Sequence, residues 1–168
     1  ITGCTNEGKV ESIAKGNHTY TAGICIIYNG SNGSTYADEL IINNCVNNGE
    51  IEGDTVAGII GNSSGNLKLS DCENNGAING RYSAGGIAQC IENKNSNEAE
   101  VSNCINNGNV FGGAEAAGII DYAEGITVTN CINNGNISSN GYVGGIFSYT
   151  SSVKGTGLVN NGKISGLE

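Results

Sequence analysis

The chain has 168 residues and a formal net charge of −9, with 28 Gly, seven Cys and seven Tyr, no Pro, Met or Trp, and only two Phe. Seven Lys and Arg against 16 Asp and Glu exclude a basic phosphate-binding face, so nucleic acid is not an expected partner. No run of about 18 apolar residues occurs, and membrane insertion is not expected.

A globule of this size normally fills its core with large aromatics. Here the apolar residues are mostly Ile, Val, Ala, Leu and Cys, which predicts a narrow and regular interior. Asn is about as frequent as Gly, and both tolerate left-handed backbone at turns. The apolar residues recur in register, which separates the chain from a disordered Gly/Asn linker.

In chain order, the first element is the block Cys4-Thr5-Asn6-Glu7-Gly8-Lys9-Val10. A polar insertion over Glu11 to Thr19, holding the lone His18, leads to Ala22-Gly23-Ile24. A second insertion rich in Tyr, Ser and Gly follows from Tyr28 to Glu39, and then Leu40 and Ile42 alternate with polar residues. The block returns as Cys45-Val46-Asn47-Asn48-Gly49-Glu50-Ile51, with Ala57-Gly58-Ile59 behind it and an alternating Leu67 and Leu69. Cys72-Glu73-Asn74-Asn75-Gly76-Ala77-Ile78 comes next, then Ala84-Gly85-Gly86-Ile87 and a polar insertion from Glu92 to Glu100. Cys104-Ile105-Asn106-Asn107-Gly108-Asn109-Val110 precedes Ala117-Gly118-Ile119 and the alternating Ile126 and Val128. Cys131-Ile132-Asn133-Asn134-Gly135-Asn136-Ile137 precedes Val143-Gly144-Gly145-Ile146, and Leu158-Val159-Asn160-Asn161-Gly162-Lys163-Ile164 closes the series with Leu in the Cys place. Block starts are 41, 27, 32, 27 and 27 residues apart.

A unit of about 27 residues without helical periodicity cannot bury its own apolar face, whereas stacked copies can. The pattern predicts an all-β fold: a right-handed parallel β-helix, or solenoid, of about six coils with three short strands per coil. One strand ends at the Cys, one surrounds the Ile after the Gly, and one lies at the Ala-Gly-Ile block. A six-bladed propeller needs blades of about 40 residues, longer than this period. Residues 1–168 read as one repeat domain, and the opening in mid-pattern at Ile1 suggests a segment of a longer protein, with Leu167-Glu168 as a vector-derived addition.

The stretch Ile51 to Gly61 and the stretch Asn140-Gly141-Tyr142-Val143-Gly144-Gly145-Ile146-Phe147 resemble the GLUG-type repeat. That repeat occurs in large secreted and wall-attached bacterial proteins, including adhesins and non-catalytic regions of immunoglobulin-A-cleaving metallopeptidases. The resemblance spans nearly the whole chain and implies an extracellular, bacterial cell-surface stalk or binding region with no catalytic residues to transfer. The chain departs from the motif in having Ile where Leu is common and in adding the Cys-x-Asn-Asn-Gly block.

Cys4, Cys45, Cys72, Cys104 and Cys131 share one repeat position and are expected to form an interior thiol ladder acting as apolar filler. Leu158 at the same position fits a filler and not a ligand. Cys25 and Cys90 lie off the ladder and are expected to stay unpaired. With no Cys-x-x-Cys and a single His, neither a zinc site nor any other cofactor is expected. Asn48, Asn75, Asn107 and Asn134 are expected to form an amide ladder, with Gly49, Gly76, Gly108 and Gly135 taking positive φ at the corners. The acids Asp38, Glu39, Asp54, Asp71, Glu73, Glu92, Asp121 and Glu124 do not recur at one repeat position, so paired-carboxylate catalysis is not expected.

The residues best placed for a ligand surface are Tyr28, Tyr36, Asp38, Tyr122 and Tyr149, of which Tyr122 and Tyr149 occupy equivalent positions in adjacent coils. The expected function is a non-catalytic extracellular scaffold or adhesin segment. Its expected partners are a protein or glycan of a host or neighbouring cell, or a second copy joined end to end through exposed coil edges. A carbohydrate-binding module and a polysaccharide-cleaving enzyme are the alternatives.

Overall fold

The computed structural model describes residues 1–13, 19–27, 39–93 and 99–166. His18, Tyr28, Tyr36 and Asp38 lie outside the described residues. Within them the chain forms 24 strands and no helix, and the strand pairings are parallel. This is the expected parallel β-solenoid.

Each coil contributes to four sheets. The first sheet holds the strands before the Cys: Leu40–Asn43, Leu67–Ser70, Ala99–Ser102, Ile126–Thr129 and Lys154–Thr156. The second is a stack of two-residue strands after the Cys: Thr5–Asn6, Val46–Asn47, Glu73–Asn74, Ile105–Asn106, Ile132–Asn133 and Val159–Asn160. The third sheet carries the Ile after the Gly, with Ile51–Ala57 and Ile78–Gly85 as its longest strands. The fourth comprises Ile60–Ser64, Ala88–Glu92, Ile120–Glu124 and Phe147–Ser151.

The coil after Cys104 has five strand segments, Ile105–Asn106, Val110–Gly112, Glu115–Ala117, Ile120–Glu124 and Ile126–Thr129, where the sequence reading counted three. The ones not foreseen are the Asn strand, too short for alternation to reveal, and the strand of the fourth sheet. The Ala of each Ala-Gly-Ile block lies in a third-sheet strand, as in Tyr20–Ala22 and Glu115–Ala117, and the chain turns from there into the fourth sheet.

Register is kept from coil to coil by apolar residues that share one repeat position. Ile51, Ile78, Val110 and Ile137 pair directly in the third sheet, and all are at most 1% exposed. They form a smaller core with Val56, Ala84 and Ala116. The main core is built from Ile42, Leu67, Leu69, Val101 and Val128 of the first sheet, the corner residues Ile59, Ile87 and Ile119, and the column Cys45, Cys72, Cys104 and Cys131. Cys4, in the first coil, is exposed, and no disulfide joins any of the seven cysteines. Each ladder thiol turns back to the main-chain oxygen two residues earlier, at 3.2–3.4 Å for Cys72 to Ser70 through Cys131 to Thr129. The ladder thiols also lie within hydrogen-bonding reach of one another, Cys104 between Cys72 and Cys131.

Two features of the Asn-Asn-Gly corner differ from expectation. The left-handed residue is the one before the Cys, namely Gly3, Asn44, Asp71, Asn103, Asn130 and Gly157, with φ between 52° and 66°. Gly, Asn and Asp are the residues that accept this conformation most readily. The Gly after Asn-Asn is required for a different reason. A Cβ on Gly49, Gly76, Gly108, Gly135 or Gly162 would fall on the carbonyl oxygen of the equivalent Gly in the preceding coil.

The second feature is that two amide ladders exist. The expected one, Asn48–Asn75–Asn107–Asn134, is exposed and continues to Asn161, with Nδ2 to Oδ1 distances of 2.8–2.9 Å. The other is formed by the first Asn of each pair. Asn6, Asn47, Asn74, Asn106, Asn133 and Asn160 donate each to the next at 2.7 Å. Asn47, Asn74, Asn106 and Asn133 are fully buried. Each of these carboxamides also donates to the Gly carbonyl two residues on, at 2.8–2.9 Å. Both amide hydrogens and the oxygen are thus used, which is what lets a polar side chain sit in a dry interior. The corner glycines Gly58, Gly86 and Gly145 make room for the column. A Cβ on any of them would come within 2.6 Å of the carboxamide carbon of Asn74, Asn106 or Asn160.

Candidate functional site

Along the fourth sheet, side chains alternate between the core and solvent. Ala123 and Ile91 point inward, and Tyr122 and Tyr149 point outward in direct register, continuing a column from Asn62 and Cys90. The two tyrosine rings stack with centroids 5.0 Å apart and planes 7° from parallel. The Tyr122 hydroxyl donates to Glu124 Oε2 at 2.9 Å. That carboxylate opposes formation of the phenolate and pushes the Tyr122 pKa up to about 12. Tyr149 is 55% exposed. The expected pair is therefore brought together, while Tyr28, Tyr36 and Asp38 of the same expected surface fall outside the described residues. Because each ring covers one face of the other, the free aromatic surface is one outer face and the ring edges.

The position one residue earlier in each coil holds Gly61, Gln89, Asp121 and Ser148, and there the structure places a buried polar cluster. Asp121 is fully buried. Gln89 Nε2 donates to Ser83 Oγ at 3.2 Å and to Asp121 Oδ2 at 3.3 Å. Gln89 Oε1 is buried without a hydrogen-bond partner. Ser148 Oγ hydrogen-bonds to the Asp121 carboxylate and lies 2.8 Å from the Asp121 main-chain oxygen. One hydroxyl hydrogen cannot serve two acceptors. A proton on the carboxyl group resolves the conflict, since Asp121 can then donate to Ser148 while Ser148 donates to the main chain. Burial, with the nearby Glu115 charge adding to it, raises the Asp121 pKa to about 6 against the hydrogen bonds that lower it. Sequence reasoning counted Asp121 among scattered acids. Its signal is a charged residue between the apolar pair Ile119-Ile120 and the outward Tyr122.

On the outer face of the third sheet, a trough of about 230 Å³ runs across strands Ile78–Gly85, Val110–Gly112, Ile137–Ser139 and Ile164–Gly166. Asn79, Phe111, Ser138 and Ser165 share one outward register position. Asn109, Asn136 and Lys163 form its edge. Sequence reasoning missed it. The signal was Phe111, a large aromatic directly after a buried Val in a strand whose neighbours carry Asn or Ser there.

Four ion pairs lie elsewhere among the described residues. Lys9 pairs with Glu52 at 2.8 Å and Glu11 at 3.3 Å, Lys68 with Glu39 at 2.6 Å, and Arg81 with Asp54 at 2.5 Å. No family model, curated protein or solved structure matches this chain.

Proposed function

We propose that this chain is a non-catalytic extracellular scaffold, an adhesin segment of a large bacterial surface protein. The observation that supports this most is the unbroken amide column from Asn6 to Asn160. Every coil is tied to the next by the same side-chain bond, buried in the middle coils, as a rigid spacer requires. The likeness of Ile51 to Gly61 to the GLUG-type repeat favours the surface setting. Antibodies to the chain should label intact cells that express the parent protein, and external protease should remove the label. Labelling only after permeabilisation would rule the setting out. Sustained release of reducing ends from uronate polymers would replace the scaffold reading with a polysaccharide-cleaving enzyme.

The stacked Tyr122 and Tyr149 favour a second reading, a carbohydrate-binding module using the outer ring face of Tyr149. In that case Tyr149→Ala abolishes glycan retention on an array, whereas a scaffold without a site there shows no change.

A further inference from the structure

We propose that the trough on the outer face of the third sheet is a binding site for an oligosaccharide that carries a carboxylate. The site is independent of the Tyr122–Tyr149 stack and of where the protein is displayed.

Four observations converge on this chemistry. Phe111 is 40% exposed and stands beside Ser138 and Ser165 in the same column. A large ring next to two short side chains makes a wall with a low floor. Second, the edge carboxamides are held in place through their oxygens. Asn109 Oδ1 accepts from the Asn136 amide, and Asn136 Oδ1 accepts from the Lys163 amide, both at 3.0 Å. Their Nδ2 groups have no partner among the described residues and remain as fixed donors.

Third, the Ser138 hydroxyl makes no hydrogen bond among the described residues, and Ser165 Oγ makes only a long one of 3.5 Å to the Ile137 oxygen. Fourth, the cation at the end of the edge is uncommitted. Lys9, Lys68 and Arg81 are ion-paired, whereas Lys163 has no carboxylate partner among the described residues. Lys163 is exposed, so its ammonium is open to an anion seated in the trough, although the net charge of −9 leaves that contact to act at short range only.

An aromatic face for the C–H surface of a sugar ring, amide and hydroxyl groups for its hydroxyls, and one ammonium for one carboxylate describe an acidic saccharide. A polyphosphate or nucleic acid would meet a single cation amid an acidic surface. A peptide added as a strand needs a sheet edge, and the trough lies on a face. Successive rungs are about 4.8 Å apart, so the span from Phe111 to Ser165 is about 10 Å, suited to one or two sugar units. The volume of about 230 Å³ lies below the roughly 300–1,000 Å³ of pockets that enclose drug-sized ligands, so the trough takes a short saccharide and leaves part of it in solvent.

The test is an array of uronate-containing, sialate-containing and neutral oligosaccharides, probed with the full chain and four variants. Acidic glycans should be retained above their neutral counterparts. Phe111→Ala should weaken retention about tenfold, and Ser138→Trp, which fills the floor, should abolish it. Lys163→Gln should shrink the preference for acidic over neutral glycans by up to about fivefold, and Lys154→Gln, which removes an exposed cation on the first sheet away from the trough, should change nothing. The substituted side chains point to solvent, and an unchanged circular-dichroism spectrum verifies that each variant is folded. Addition of the best-retained glycan to the 15N-labelled protein should shift the amides of Phe111 and Ser138. The proposal is overturned if no acidic glycan is retained, if retention survives both Phe111→Ala and Ser138→Trp, or if Lys154→Gln shrinks the acidic preference as much as Lys163→Gln.

Discussion

At the scale of single residues, the two Asn of each block look alike in sequence and do different work. Asn106 is buried and uses every polar atom, donating to Gly108 and Asn133 and accepting from Asn74. Asn106→Ala strands a donor on Asn74 and acceptors on Asn133 and Gly108 away from water, and should cost about 3 kcal/mol or more in urea unfolding. Asn107→Ala removes contacts to Asn75 and Glu73 that lie at the surface. Water replaces them, and the expected cost is under about 1 kcal/mol.

The glycines divide in the same way. Gly76→Ala drives a methyl group into the Gly49 carbonyl, whereas a Cβ on Gly8, at the same motif position, meets nothing within 4 Å. Gly76→Ala should therefore lose about 3 kcal/mol or prevent folding, while Gly8→Ala leaves the thermal midpoint unchanged within error. The motif announced these positions as special. It did not say which were buried, because a two-residue strand has no periodicity from which to read an inward face.

At the scale of elements, Asp121 makes its strand sensitive to pH. Its folded pKa of about 6 stands above the ordinary value of 3.8, so the folded state holds the proton more tightly than the unfolded chain. Its contribution to stability is therefore fully present below about pH 4 and is lost as pH rises through about 6. The loss is on the order of 3 kcal/mol. Asp121→Asn keeps the shape and removes the charge. It should be more stable than the parent at pH 7 by urea midpoint, with the difference closing towards pH 4. A parent that gains stability from pH 4 to 7 relative to the variant would contradict the protonated arrangement of Asp121 and Ser148.

The strand periodicity placed Leu40, Ile42, Leu67, Leu69, Ile126 and Val128 in the core correctly, because period-2 alternation is a local property of a half-buried strand. It was silent on Asp121, whose burial arises where the third and fourth sheets meet at a corner. Phe111 escaped for a related reason. An outward aromatic gains meaning only from the short side chains one and two rungs away, which lie 27 residues or more distant in sequence.

For the whole molecule, the solenoid was legible because a repeat written six times states its own stacking partner. Stability in such an array is a sum of coil and interface contributions, so the middle coils should outlast the outer ones. The amides of Val10, Ile78 and Val110 are all hydrogen-bonded to the following coil at 2.9 Å. Yet Ile78 and Val110 should exchange at least about tenfold more slowly than Val10 in hydrogen-exchange measurements, because Val10 lies in the first coil and is only partly buried. Equal protection would mean that the six coils open as one unit.

The two amide ladders also give the molecule a sense of direction. In the buried one each carboxamide hands its hydrogen forward, from Asn6 towards Asn160, and in the exposed one the hydrogens point backward, from Asn161 towards Asn48. The backward series ends at Glu7, which takes a hydrogen from Asn48 and, as a carboxylate, has none to pass on. Were a second copy laid head to tail on this first coil, Asn160 would find a receptive oxygen on Asn6. Beside it, Asn161 would confront Glu7 oxygen to oxygen. One acidic side chain thus works as a full stop, letting the inner thread continue while opposing the outer one.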